Sequence, residues 1–103
     1  MIELTSKQRK VLEKAAHTLD PVVIVGQNGV TQALEDMTNA QLSQHELIKV
    51  KFNEFKEEKR ALSEQLARNC DAAIIHIIGN VAILYREHEE ADKRKFAKAL
   101  AKA

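Results

Sequence analysis

The sequence predicts an α/β fold: a mixed four-stranded sheet in a two-layer arrangement, with helices packed on it. Three observations predict it. Val22-Val23-Ile24-Val25 is an uninterrupted β-branched run, as in a strand buried on both faces. It passes through Gly26-Gln27-Asn28-Gly29 into a helical pattern and then into an alternating strand. That strand–helix–strand order makes the two strands parallel, with a right-handed crossover. Gly79-Asn80 then separates two further strand-like runs at hairpin spacing, adding an antiparallel pair.

Each element has its own signal. Thr5 and Gln8 have the spacing of a capping box, and the spacing predicts a helix over about 6–19. Leu12, Ala15, Ala16 and Leu19 form its apolar stripe, with Lys7, Lys10, Lys14 and His17 opposite. Asp20-Pro21 ends it, because the residue before proline avoids the helical region. A second helix is expected over about 31–44, with Val30, Ala33, Leu34, Met37 and Ala40 inward. In 47–52, Ile48, Val50 and Phe52 point one way, and Lys49 and Lys51 the other. Residues 54–69 read as a charged third helix held by Leu62 and Leu66. Residues 73–78 and 81–86 are the hairpin strands. From Glu87 onward the chain is rich in helix formers, with Glu89 and Glu90 early and Lys98 and Lys102 late, as the helix dipole favours. The expected division is a domain over 1–86 and a charged, helix-prone tail over 87–103, which Phe96 and Leu100 could dock.

At 103 residues the chain has the size of one domain. Aromatics are 4% with no Trp, which excludes a platform of several stacking rings. One cysteine, Cys70, excludes an internal disulfide and a multi-cysteine metal site. The start of the chain has no apolar leader pattern and no run suits a membrane span, so a reducing, cytoplasmic setting is expected. The net charge of +1 hides its distribution. Residues 20–48 hold no Lys or Arg, whereas 1–19, 49–60 and 86–103 are locally rich in them. Folded together, those segments form a surface for an anionic partner.

Catalytic patterns are missing from the sequence. The four histidines fall on different elements without ligand spacing, and Cys70 follows a helix end without an evident base. Neither a Walker loop nor a dinucleotide fingerprint is present. No cofactor or metal is expected. The strand–GxxG–helix junction admits two readings: a tight structural turn, or an anion site built from a close backbone and free helix N–H groups.

Several strings together resemble a known family. They are Leu4-Thr5 with Arg9 and Leu12, Pro21 to Thr31 through the glycine loop, His45 to Lys51, Ile78-Gly79-Asn80, and Leu84-Tyr85-Arg86. They resemble the YhbY-like RNA-binding proteins, the stand-alone bacterial form of the CRM domain, over roughly residues 2–86. The resemblance implies a fold like the C-terminal domain of bacterial translation initiation factor three, with sheet order 1-2-4-3. It also implies binding of RNA, not DNA or membrane, and association with precursors of the large ribosomal subunit. Residue by residue, the implied RNA-binding loop is Gly26, Gln27, Asn28 and Gly29, with Arg9, Lys49, Lys51 and Arg86 flanking it. Lys7, Lys10 and Lys14 join them from the helix ridge. Two departures lower the local charge: Gln27 and Asn80 stand where that family often carries lysine. The expected function is non-enzymatic binding of structured ribosomal RNA during large-subunit assembly. An alternative is an adaptor that docks on a ribosomal protein or assembly factor.

Overall fold

In a computed structural model, which describes residues 3–103, a four-stranded sheet is flanked by helices on both faces. Met1 and Ile2, where the resembling segment begins, lie outside the described residues. The elements are α1 (Ser6–Ala16), β1 (Val23–Val25), α2 (Gln32–His45), β2 (Leu47–Phe52), α3 (Lys59–Asn69), β3 (Ala73–Ile78), β4 (Val81–Tyr85) and α4 (Ala97–Lys102). The strand order is β1-β2-β4-β3, as the resemblance implies. β1 and β2 are parallel, and the other two pairings are antiparallel.

The alternation in β2 sorts the core. Ile48, Val50 and Phe52 lie buried with Val23, Val25, Ala82 and Leu84, beneath Leu42 of α2 and Leu66 of α3. These form the two layers expected. Leu47 points the other way and is buried with Ile83, Tyr85, Leu12 and Ala16. α1 and α4 therefore add a partial third layer over one end of the second face. Along that face of β2, Leu47 is buried, Lys49 is half-buried and Lys51 is exposed.

Three expectations shift in detail. α1 ends at Ala16 rather than near residue 19, and Leu19 is exposed. The inner face of α2 is Leu34, Thr38 and Leu42 rather than the stripe through Met37, which is 50% exposed. Thr38 can be buried because its hydroxyl donates to the Leu34 carbonyl at 2.8 Å. α3 starts at Lys59, because Phe55 takes a left-handed conformation (φ 56°) and a short 3₁₀ turn spans Lys56–Glu58.

The junction of α2 and β2 turns on Glu46. Its backbone sits at φ 64°, a region in which a non-glycine residue carries strain of order 1–3 kcal/mol. Its side chain is only 1% exposed. The carboxylate accepts from the backbone N–H of His88 at 2.7 Å and of Lys95 at 2.6 Å. Its carbonyl accepts from Arg86 N–H at 2.9 Å. The segment after β4 is thus tied to the sheet. Leu100 is buried beside Leu12, and the Phe96 ring meets Tyr85 edge-on at 6.1 Å. Within 87–103 the only α-helix is α4, after a 3₁₀ turn at Ala91–Lys93.

Replacing Glu46 with Ala should strand both amides and destabilise the fold by about 2–4 kcal/mol. The readouts are the urea midpoint and faster amide exchange at His88 and Lys95. A second expectation concerns alkaline pH. Burial, and then the negative charges of Glu46 and Glu87, push the Tyr85 hydroxyl up to about 12 from an ordinary value of 10.0. The folded state thus retains a proton that the unfolded chain gives up first. The stabilisation is complete below about pH 10 and is lost as pH rises towards about 12. The melting temperature should fall more steeply across that window in wild type than in Tyr85→Phe.

Candidate functional site

The loop Gly26–Gly29 is a turn closed by Gly29 N–H donating to the Gly26 carbonyl at 3.0 Å. Gln27 and Asn28 are exposed at its tip. Gly29 has φ +68°, and a Cβ there would meet the Phe55 ring at 3.4 Å. The positive φ calls for glycine at this position, while a Cβ would only come into ordinary contact with the ring. The loop does not run directly into α2. Val30 and Thr31 intervene, and the Thr31 hydroxyl caps the helix by accepting from Leu34 N–H at 3.2 Å. Glu35 lies in the first turn of α2, so the helix start is partly satisfied by its own chain.

The strand ends bring other segments to the same place. Phe52 N–H donates to the Asn80 carbonyl at 2.7 Å, and Asn53 N–H donates to the Val25 carbonyl at 3.1 Å. The glycine loop, the β2 exit and the β3–β4 hairpin therefore form one end of the sheet. Gly79 supplies the positive φ of the hairpin (58°), whereas Asn80 is not among the positive-φ residues, as in a type II′ turn. Sequence reasoning missed Lys59: its ammonium donates to Asn80 Oδ1 at 3.3 Å, so α3 returns a positive charge to the hairpin. That contact spans 21 positions and has no local signal.

The two sides of the loop differ in charge. On one side a cleft is lined by Gln27, Asn53, Phe55 and Lys56 together with Glu54, Glu57 and Glu58. On the other face of the sheet, Ile24 lies beside Lys51 in register. Lys49 follows two residues back on that face, where α1 begins to cover the sheet. On α1, Lys7, Lys10 and Lys14 are exposed, opposite the buried Leu12 and Ala16.

The two arginines of the expected set have structural bonds. Arg9 donates to the Ile74 carbonyl at 2.6 Å, where β3 is interrupted by a bulge between Ile74 and His76. Arg86 donates to Asn39 Oδ1 at 2.8 Å and to the Cys70 carbonyl at 2.7 Å. It also donates to the Asn39 carbonyl at 3.0 Å and to Ser43 Oγ at 3.0 Å. It joins α2 to the end of α3 and lines a cleft of about 710 Å³ remote from the glycine loop. Cys70 is buried, and burial, followed by the nearby Glu35, pushes its thiol up, away from nucleophilic use. Among the described residues, no cluster of three metal-ligating side chains occurs and no helix is long and apolar enough to cross a membrane.

Arg86→Ala should cost roughly 1–3 kcal/mol of stability, because part-buried acceptors on α2 and at the end of α3 lose their donor. The urea midpoint measures it.

A family model described as the CRS1 / YhbY (CRM) domain matches residues 4–86. A Haemophilus influenzae protein named as an RNA-binding protein is 42% identical over 93 residues, covering 88% of this chain and 93% of that one. A Bacillus subtilis protein named a probable RNA-binding protein is 34% identical over 88 residues, covering 84% and 92%. The solution structure of a Staphylococcus aureus protein, put forward as RNA-binding, is 30% identical. It aligns with a TM-score of 0.75 over 90% of this chain and 98% of its own. With the loop, the strand order and the family model in agreement over residues 4–86, this chain belongs to the CRS1/YhbY (CRM) domain family.

Proposed function

We propose that this protein binds structured RNA without catalysis, in the cytoplasm, and acts on ribosomal RNA of the large-subunit precursor during assembly. The observation that carries the reading is the end of the sheet where the glycine loop lies beside Lys51, on the face that also carries α1 with its exposed lysines, while Lys59 reaches the neighbouring hairpin from the opposite face. The names of the relatives support RNA as the partner. Aromatics are scarce, so phosphate and shape contacts carry most of the affinity rather than base stacking. In this reading Gly26, Gln27, Asn28 and Gly29 approach the backbone of the RNA. Lys7, Lys10, Lys14, Lys49 and Lys51 neutralise its phosphates, and Arg9 and Arg86 hold the scaffold. Residues 1–86 are the binding unit and 87–103 its buttress.

Changing Lys7, Lys10 and Lys14 together to Ala should weaken binding to different RNAs by similar factors. It should also flatten the log–log salt dependence by about 2–3, at roughly 0.7–0.9 per lost phosphate contact. Affinity titrations at several salt concentrations measure both. An unchanged slope would remove the ridge from the interface. Sequencing of RNA crosslinked to the protein in cells should recover large-subunit precursor sequences. Recovery of none would defeat the ribosomal part of the proposal.

A further inference from the structure

The cross-strand register places four side chains in one row on the face that carries α1. Ile78 pairs with Val81, Val81 with Lys51, and Lys51 with Ile24, so the row crosses all four strands from β3 to β1. Three strand spacings make it about 14 Å long. α1 and α4 cover the other end of this face and stop short of the row. Ile24 is 52% exposed and Ile78 46%, and Lys51 is exposed between them. The row begins beside the glycine loop and ends beside the hairpin. It is an apolar strip with a cation inside it.

The surroundings select the occupant. Acidic side chains line the opposite side of the loop, Glu54, Glu57 and Glu58 beside Gln27, so a polyanion is repelled there. Lys51 and Lys49 attract it to the row. A lysine in the middle of an apolar strip is unfavourable for a protein partner, because the cores of protein interfaces are depleted in lysine. A paired RNA helix presents phosphates and 2′-hydroxyls and gains little from exposed isoleucines. Unpaired nucleotides present apolar base faces alternating with phosphates, which matches isoleucine, valine and lysine in one row.

Resting on the RNA reading above, we infer that the row Ile24–Lys51–Val81–Ile78 is the seat of an unpaired RNA segment, its bases on the aliphatic side chains and a phosphate at Lys51. A bound RNA therefore needs a bulge, loop or single-stranded end beside the helical part that the α1 lysines grip.

The test compares two probes on the full chain: a mixed-sequence unpaired 12-nucleotide RNA and a duplex of the same sequence. Ile24→Thr and Ile78→Thr are combined, since both positions are exposed and threonine suits a strand. Thermal melting confirms folding. The double variant should lose about three- to tenfold in affinity for the unpaired RNA and change less than about twofold on the duplex. Equal loss on both probes, or no loss on either while wild type binds, overturns the seat and leaves the RNA reading standing. Failure of wild type to bind either probe overturns the RNA reading itself. Light scattering provides the last arm. A wild-type dimer that the double variant makes monomeric would show that the row is a contact between copies, and would also overturn the seat.

Discussion

A single buried carboxylate joins the parts of this molecule that local sequence leaves separate. Glu46 stops α2, turns the chain through a positive-φ conformation and leads directly into the central strand β2. Its carbonyl receives the exit of β4, and its two oxygens receive amides 42 and 49 residues farther along. A carboxylate out of water is costly unless it is hydrogen-bonded, and here the backbone supplies the donors. The consequence reaches the hydrophobic core. Once the chain after Arg86 is fixed, Phe96 and Leu100 can cover Tyr85 and Leu12, and the second face of the sheet gains its partial layer.

That division of the second face organises the candidate interface. One half is closed by α1 and α4, and the other half stays open from Lys49 to the glycine loop. Helices on the opposite face bring the acidic 54–58 segment to the far side of the loop. The two sides of the glycine loop therefore differ in charge, with a Glu-rich cleft on one and Lys51 and Lys49 on the other. A lysine introduced at position 27 would lie beside those carboxylates, whereas the fold delivers the charge of Lys59 to the hairpin.

What the sequence makes legible is what depends on near neighbours. The alternation of Ile48, Val50 and Phe52, the capping box at Thr5 and the glycine hairpin are all local, and each appears where expected. The β-branched run of β1 is also a strand, but not one buried on both faces: Val23 and Val25 face the core, whereas Ile24 is exposed because α1 and α4 do not reach that end of the second face. The strand order comes with the family resemblance, since pairing between β2 and β4 joins residues from 30 (Lys51 with Val81) to 38 (Leu47 with Tyr85) positions apart. The inner face of α2 is not legible in the pattern, because Thr38 reads as polar until its hydroxyl finds the Leu34 carbonyl. The break before α3 was hidden because Phe55 has no composition signal for a left-handed residue. For the site, the glycine loop and the lysines are visible in sequence. The structural engagements of Arg9 and Arg86 are not, because their acceptors come from distant segments.

The bulge in β3 carries a consequence for how copies of this chain tolerate one another. Open sheets invite strand addition at their edges, the route to edge-to-edge aggregation. Here one edge, β1, is only three residues long. The other, β3, is broken between Ile74 and His76, with the Ile74 carbonyl already engaged by Arg9. Neither border offers a straight, vacant ladder. Crowded molecules can therefore meet through their faces and side chains without templating intermolecular β-structure.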